Sequence, residues 1–297
     1  KMFADASSAG YQNYEISLDE SDARLARLHW DDKQYDEVRR AARNQNIRIL
    51  SACFSGHRRF PLGSSSRELE ERGIRMMREG IDFCQNLGVR MLQVAGYDAF
   101  YEPRSRETAA RYRENILKCL EWAEQAGVML AIEPVEVNLV KVSDTLRLVK
   151  EADSPWLQIY PDIANMKSLG IDPVTELPQG RGHIANVHVR DSLPDYFYGV
   201  PLGTGNMRDT VFMGLHVCQM MGYQDICDSY KLITYNAAKT LHLGETYGIR
   251  EKNPADFIIL NADNFYDALN KKSEVLYSFR GGKMLAKTVP AQTEICF

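Results

Sequence analysis

Three residues that can bind a metal ion occur at or near the ends of three successive strand-like segments. Glu133 ends an apolar run that begins at Met129, Asp162 follows the next segment, and His188 lies within the one after that. The carboxyl ends of parallel strands share one edge of a sheet, where such folds hold their active sites. Mixed carboxylate and imidazole ligands suit divalent Mn, Zn or Mg ions. The spacing therefore predicts a divalent-metal site; the alternative for Glu133 is a strand-terminal residue facing solvent.

A basic loop follows an earlier strand-like segment and is the second candidate for chemistry. It runs from Ser55 to Ser64 and contains His57, Arg58 and Arg59. Two adjacent arginines beside a glycine and a histidine can hold a phosphate group through charge-assisted hydrogen bonds. We therefore predict that this loop binds phosphate; the alternative is a solvated basic turn.

The other histidines lack partners of this kind in the sequence. His29, His216 and His242 lie in helical stretches without acidic or histidine partners at ligand spacing. His183 comes just before a strand-like segment, at the end opposite the predicted metal site. We interpret all four as structural residues.

The elements that must position the candidate residues alternate between short strands and amphipathic helices, which is typical of an α/β fold with a parallel sheet. Helix Arg67–Leu87 ends before Gly88 and helix Arg106–Gln125 ends close to Gly127, a residue type that commonly stops helices. Six strands are recognisable: 14–18, 47–54, 90–95, 129–133, 157–160 and 184–189. A TIM barrel and a doubly wound sheet are the two candidate architectures.

The alternation ends after Asp191, in a passage rich in Pro, Gly and Tyr that reaches Asn206. The sequence then predicts two helices, a strand and a hairpin that turns at a Gly-Gly pair. Their ranges are 208–223, 229–243, 256–260 and 275–285. Such an order, without alternation, indicates a separate small β element.

Composition limits the class of protein. The 297 residues are 44% hydrophobic and 26% charged, with a net charge of -4 and a pI near 5.9, so a nucleic-acid partner is not expected. The six cysteines form no CxxC pair, which favours a reducing, cytoplasmic setting. The sequence predicts no membrane span and no export signal. Because the chain opens at Lys1 rather than Met, we expect it to begin partway into a domain.

The first 205 residues resemble the L-ribulose-5-phosphate (L-xylulose-5-phosphate) 3-epimerases, which belong to the xylose-isomerase-like TIM barrels. The resemblance rests on six stretches: 14–20, 55–64, 92–98, 131–134, 158–163 and 187–191. It implies that Glu133, Asp162 and His188 bind a divalent metal together with a second glutamate on the last barrel strand. It also implies a small sugar phosphate as substrate, with Arg190 among the residues that bind it.

The sequence departs from this family after Asn206. No apolar run ending in glutamate occurs downstream, and the strand expected before Gly10 is absent. We therefore predict an incomplete (β/α)8 barrel over residues 1–205, followed by helices and a small β element. Unpaired sheet edges would favour association into homo-oligomers.

Residues 206–297 resemble the carboxyl end of cytosine deaminase, in the amidohydrolase superfamily. The matching stretches are 213–223, 232–239, 254–260 and 279–286. The resemblance implies terminal helices and part of a small β-sandwich. The deaminase's own metal ligands lie on earlier strands, and this chain has no His-x-His pair.

Three functions compete at this point. The first is metal-dependent 3-epimerisation of a pentulose 5-phosphate through an enediolate, with Glu133 as one acid-base group and activity impaired by loss of its partner. The second is a deaminase-like hydrolase, and the third is a non-catalytic binder of sugar phosphate or metal.

Overall fold

The computed structural model describes residues 1–8, 11–190, 208, 211–212, 214–215, 220–240 and 243–290. Contacts divide the chain into two compact units. The first unit holds Lys1–Ser7 and Tyr11–Thr204, and the second holds Ser8–Gly10 and Gly205–Phe297. The Pro, Gly and Tyr-rich passage and the predicted boundary near residue 205 lie outside the described residues, so that boundary stays a prediction.

The first unit is built on a five-stranded sheet in which every neighbouring pair is parallel. Its strands are β1 (Asn13–Leu18), β2 (Arg48–Phe54), β3 (Met91–Ala95), β4 (Met129–Glu133) and β5 (Leu157–Ile159). They pair in the order in which they occur in the chain. A doubly wound sheet reverses its strand order at a switch point, whereas consecutive order is typical of a barrel.

The sixth predicted strand, 184–189, is only partly formed. Ile184 makes an isolated parallel bridge with Ile159, and His188 makes another with Asp162. Pro161 lies between these two bridges and has no backbone N–H to donate, so the ladder is interrupted there. Its carbonyl still accepts a hydrogen bond from the backbone N–H of His188 at 2.8 Å. The segment therefore continues the sheet through single bridges rather than as a regular strand.

Helices connect the strands of the first unit, as the alternation predicts. They are α1 (Met2–Ser8), α2 (Asp22–Leu25), α3 (Asp32–Asn44), α4 (Arg67–Leu87), α5 (Arg106–Ala126), α6 (Val142–Ala152), α7 (Ile163–Ser168) and α8 (Pro173–Glu176), with 3-10 turns at Ala26–His29, Gly56–Arg58 and Leu177–Gly180. Both predicted glycine stops are confirmed: Gly88 has φ 80° and Gly127 has φ 63° at the ends of α4 and α5. None of the described helices is long and apolar enough to cross a bilayer.

The strands at the centre of the sheet are buried on both faces. In β4, Leu130, Ala131 and Ile132 are all 0% exposed, and Leu92 of β3 is equally inaccessible. Full burial of each large aliphatic side chain contributes roughly 1.5–3 kcal/mol. This packing explains why the strand leading to Glu133 is continuously apolar, and it fixes the point where the first polar side chain emerges.

The second unit combines short helices with an antiparallel sheet. Its elements are α9 (Tyr223–Asp228), α10 (Tyr230–Ile233), α11 (Tyr235–Thr240), α12 (Phe265–Asn270), β6 (Phe257–Leu260), β7 (Val275–Arg280), β8 (Lys283–Lys287) and a 3-10 turn at Gly244–Thr246. The predicted hairpin is confirmed, and both Gly281 and Gly282 have positive φ, as a two-residue type I′ turn requires. The predicted helix 229–243 is divided at Thr234, whose φ of -123° and ψ of -92° leave the helical region. Much of the predicted helix 208–223 lies outside the described residues.

Candidate active site

The three predicted metal ligands come together at the carboxyl edge of the parallel sheet. Glu133 is the last residue of β4, Asp162 precedes α7, and His188 pairs with Asp162 across the isolated bridge. One ligand atom from each residue lies within 4.8 Å of those from the other two. The side chains of Glu133 and Asp162 are 13% and 4% exposed, and that of His188 is 25% exposed. The cluster is therefore largely shielded but reachable from solvent.

Two side-chain amides hold the Glu133 carboxylate. Gln93 in β3 donates from Nε2 to Oε2 at 2.6 Å, and Asn165 in α7 donates from Nδ2 to Oε1 at 3.1 Å. The His188 Nδ1 atom lies 3.3 Å from the same Oε1 atom. Among the described residues, the direct partners of the two oxygens are amides and the imidazole, so the carboxylate is fixed in direction without a hydrogen bond from an arginine or lysine.

Asp162 serves two neighbours at once. Its Oδ1 atom caps α7 by accepting from the backbone N–H groups of Ala164 at 2.7 Å and Asn165 at 3.1 Å. Its Oδ2 atom accepts from Arg190 Nε at 2.7 Å, and Arg190 also donates to Asn165 Oδ1 at 2.5 Å. A carboxylate oxygen has two lone pairs, so Oδ2 can accept from Arg190 and still face a cation.

His188 lies between two carboxylates. While Nδ1 faces Glu133, Nε2 is 2.7 Å from Glu15 Oε1 in β1. The ring of Tyr160 packs against the imidazole, with ring centroids 4.5 Å apart. Glu15 itself accepts from Ser51 Oγ at 2.5 Å and from Tyr160 OH at 2.9 Å. The imidazole is thus oriented by contacts on both of its edges and on one face.

Burial and proximity shift the protonation of these groups in opposite directions. Burial raises the pKa of Glu133, although His188 partly offsets that effect. Burial alone would also raise the pKa of Glu15, but the hydrogen bond and charge of His188, with the hydrogen bonds of Ser51 and Tyr160, outweigh it and lower the pKa. Burial disfavours protonated His188, yet the two carboxylates reverse this and raise its pKa to about 10. Glu133 is therefore the stronger base of the two glutamates.

The donor set suits a hard or borderline divalent cation. Two carboxylates and one imidazole are ligands that Mn and Zn accept and that Mg accepts in part. Among the described residues, Glu133 and Asp162 have hydrogen bonds or ion pairs with amides, with His188 and with Arg190, and with no lysine. Glu133, Asp162 and His188 would hold the ion, while Gln93 and Asn165 would keep Glu133 in place.

His57 lies in the interior of the first unit rather than at this edge. It is 4% exposed, its Nε2 atom is 3.3 Å from the Gly73 carbonyl oxygen, and its ring packs on Phe54 at 4.7 Å. Burial lowers its pKa to about 4, so it is neutral at pH 7. A neutral, enclosed imidazole cannot make the charge-assisted contact that the sequence predicted for it.

The two loop arginines differ in how they are held. Arg59 is paired with Asp22 at 2.6 Å and donates to the carbonyl of Glu20 at 2.9 Å. Arg58 lies over the ring of Phe100 at 5.1 Å, and its nearest carboxylate, Glu20, is 3.8 Å away. Its Nε atom is buried and has no hydrogen-bond partner among the described residues. Arg58 therefore has more capacity to bind an anion than Arg59.

Sequence reasoning missed the residues that support the three ligands. Glu15, Gln93 and Asn165 contact His188 or Glu133 directly, and Tyr160 contacts Glu15. One signal was available for Gln93, a single amide in the otherwise apolar strand 91–95. No local signal marks Glu15, since its partner His188 lies 173 positions away.

The remaining histidines stay outside the cluster or outside the described residues. His183 has a buried Nδ1 atom without a hydrogen-bond partner among the described residues, and its carbonyl accepts from Ile159 at 2.9 Å. His29 ends a 3-10 turn before Trp30. His216 and His242 lie outside the described residues, so their structural interpretation stays a prediction.

Fold and site together define an α/β-barrel protein with a candidate divalent-metal centre at the carboxyl edge of its parallel strands. Residues 3–229 match the family described as xylose isomerase-like TIM barrel. The chain belongs to this family. Residues 186–286 also match the amidohydrolase family, which agrees with the resemblance seen in the tail.

Curated relatives and solved structures agree with this assignment. L-ribulose-5-phosphate 3-epimerase UlaE of Salmonella typhimurium is 40% identical over 201 residues, covering 67% of this chain and 71% of the relative. D-psicose 3-epimerase of Clostridium cellulolyticum H10 superposes with a TM-score of 0.59 at 14% identity, covering 74% and 76% of the two chains. D-allulose 3-epimerase of Methylomonas sp. gives a TM-score of 0.58 at 21% identity, covering 74% of each chain. At these identities the structural matches establish the fold alone.

Proposed function

We propose that the first unit binds a divalent metal and moves the C3 proton of a pentulose 5-phosphate, interconverting L-xylulose 5-phosphate and L-ribulose 5-phosphate. The observation that carries this proposal is the group formed by Glu133, Asp162 and His188, whose ligand atoms lie within 4.8 Å of one another. Its support is the 40% identity to curated L-ribulose-5-phosphate 3-epimerases over 201 residues, together with the family match over residues 3–229, which include the group.

Epimerisation at C3 requires removal of a proton next to the C2 carbonyl and return of a proton to the opposite face. Glu133 is the proposed base. Burial raises its pKa, which brings it closer to the pH at which it must both accept and release a proton. Gln93 and Asn165 fix its direction. A bound divalent ion supplies positive charge for the oxyanion that develops in the enediolate.

The phosphate end of the substrate is assigned to Arg58 within the loop 55–64. The Arg58 side chain is 40% exposed, and its carboxylate neighbour Glu20 is 3.8 Å away, so its guanidinium is less committed to a protein partner than that of Arg59. Arg59 is already neutralised by Asp22, and His57 is enclosed. Arg190, bound to Asp162 and Asn165 beside the ligands, is proposed to contact substrate oxygens.

We further propose that turnover is low, because the two-base mechanism needs a second acid-base group across from Glu133. Two tail glutamates whose side chains the structure describes do not resemble such a group. Glu251 lies in a turn, and Glu274 immediately precedes β7 rather than ending it. Loss of one positioned acid-base group removes a factor of about 10² to 10⁴ in rate.

The proposed partner is therefore a small sugar phosphate, in a reducing cytoplasmic setting. The four described cysteines, Cys53, Cys84, Cys119 and Cys227, are free thiols, which suits that setting. Homo-oligomer formation through sheet edges remains part of the proposal, to be measured by light scattering of the purified chain.

The test is an epimerase assay on the full chain with L-xylulose 5-phosphate and Mn, Mg or Zn. We expect slow formation of L-ribulose 5-phosphate that stops when the metal is chelated. Arg58→Ala should raise the KM for the sugar phosphate about 10-fold or more, since a charge-assisted hydrogen bond contributes about 1.5–3 kcal/mol. Arg59→Ala is the matched control and should change KM much less. Metal-independent turnover, or equal effects of the two substitutions, would contradict the proposal.

The amidohydrolase match of the tail does not favour hydrolysis. The group of potential ligands found among the described residues lies wholly in the first unit. A non-catalytic binder differs from the proposed enzyme only by the absence of turnover, so the same assay separates them.

A further inference from the structure

We propose that Glu15 is a positioning residue for His188: its carboxylate holds the imidazole so that Nδ1, and not Nε2, is offered to the metal. This inference rests on the proposed metal site. Glu15 lies in β1, at the opposite end of the described sheet order from β5, and none of the sequence patterns assigned it a role.

The two ring nitrogens of His188 have different partners. Nε2 is 2.7 Å from Glu15 Oε1, whereas Nδ1 is 3.3 Å from Glu133 Oε1. These nitrogens lie on separate edges of the imidazole, so Glu15 and Glu133 approach the ring from different directions. Nδ1 therefore faces Glu133, one of the two carboxylates that would share a cation with it.

Glu15 is itself fixed, which a positioning residue requires. Its Oε2 atom accepts from Ser51 Oγ at 2.5 Å and from Tyr160 OH at 2.9 Å. The Tyr160 hydroxyl also accepts a hydrogen bond from Asn186 Nδ2 at 2.9 Å, while the Tyr160 ring packs on the imidazole. One oxygen of Glu15 thus accepts from Ser51 and Tyr160, and the other contacts His188.

A carboxylate on the far nitrogen acts on a metal-binding imidazole in two ways. In the neutral imidazole it keeps the ring proton on the nitrogen that it contacts, which leaves the lone pair of the other nitrogen for the ion. It also makes that second nitrogen a better donor. Among the described residues, the group of three potential ligands does not include Glu15. This agrees with Glu15 contacting a ligand rather than the metal itself.

The test is isothermal titration of Mn²⁺ into the full chain and its variants. Glu15→Ala should weaken Mn²⁺ binding about 10- to 100-fold, the usual effect of losing the partner of a metal-binding histidine. Glu15→Gln should lose less, because its amide oxygen still accepts from Nε2–H but without the charge. Asp19→Asn, at a carboxylate just after β1 that contacts Ser21 and Arg24, is the control and should bind like the wild type.

The outcomes separate this inference from the proposal beneath it. Wild-type affinity in Glu15→Ala would overturn the positioning role and leave the metal site standing, whereas a wild-type chain that binds no Mn²⁺ would overturn both. Folding of each variant is followed by the fluorescence of Trp30, Trp122 and Trp156, all in the first unit. If Glu15→Ala does not fold, Glu15→Gln decides: weaker binding supports the role of the carboxylate, and unchanged binding overturns it.

Discussion

The two units differ most in what they bury. Among the described residues, the first unit encloses the carboxylates of Asp98 and Asp162 and the imidazole of His57, and largely shields Glu133. In the second unit, the buried polar side chains among the described residues are the hydroxyls of Ser229 and Ser273. Buried charge is costly unless it is paired or used, so folds that keep it commonly use it for chemistry. This contrast supports assigning the proposed chemistry to the first unit.

The sheets of the two units also differ in how much of their surface is buried. In the first unit, β3 and β4 are covered on both faces, whereas every residue of β8 in the second unit is exposed. The second unit takes its buried core instead from Val211, Leu215, Ile226 and Leu269. Its core therefore lies around short helices. Among its described residues, the strand ends do not meet at a polar site.

The largest expected effect comes from removing the proposed base, Glu133, in the first unit. Glu133→Gln removes the proposed base while keeping the size of the side chain and one carbonyl acceptor, and we expect any metal-dependent proton transfer to fall by about 10² to 10⁴. Glu251→Gln, in the second unit, is the control and should leave the rate unchanged. The readout is the initial rate with L-xylulose 5-phosphate and Mn²⁺; equal losses in both variants would contradict the assignment of chemistry to the first unit.

A substitution in the core of the second unit should lower the stability of that unit and leave the first unit unchanged. Leu269 is 1% exposed, and Leu269→Ala should destabilise this unit by about 2–5 kcal/mol through lost burial and a cavity. Amide hydrogen exchange of α9 and α12 measures that loss. The Mn²⁺ affinity should be retained because all three proposed ligands lie in the other unit; a loss of Mn²⁺ binding by this variant would count against the comparison.

Metal binding should stabilise the first unit. An ion present at 100 times its dissociation constant adds about 2.7 kcal/mol to the stability of the state that binds it. Since the three tryptophans lie in the first unit, their fluorescence should report a higher unfolding midpoint with Mn²⁺ than with chelator. Asp162→Asn should abolish this increase. An unchanged wild-type midpoint at saturating Mn²⁺ would contradict the site.

The smallest expected effect concerns pH and His57. Burial lowers the folded-state pKa of His57 to about 4, so the unfolded chain takes up a proton near pH 6.5 that the folded chain refuses. The resulting stability is fully present above pH 6.5 and is lost as the pH falls toward 4. Between pH 7 and pH 5 this amounts to about 2 kcal/mol. His57→Gln should show a correspondingly smaller acid loss in urea titrations followed by tryptophan fluorescence; an identical pH dependence would place His57 in solvent.

Local signals were sufficient to predict most elements of the first unit. The helices predicted over 67–87 and 106–125 follow from apolar spacing and glycine stops, and the class of fold follows from their alternation with apolar strands. The position of Glu133 followed in the same way, because the first carboxylate after a buried strand must emerge at the strand's carboxyl end. These features depend on neighbours within a few residues.

Features that depend on distant partners were not predictable in this way. The role of Glu15 depends on His188, and the burial of His57 depends on Gly73 and Phe54, which only the folded chain brings beside it. Tertiary contacts override local propensity at such positions.

The most direct test of the central claim is exchange of the C3 proton with deuterated solvent. The full chain is incubated in D₂O with Mn²⁺ and, separately, with L-xylulose 5-phosphate and L-ribulose 5-phosphate, and NMR follows deuterium at C3 alongside epimer formation. With Glu133 as the single effective base, one of the two epimers should gain deuterium much faster than it is converted to the other, and Glu133→Gln should abolish this exchange. Absence of exchange into either epimer, or epimerisation as fast as exchange, would contradict the account.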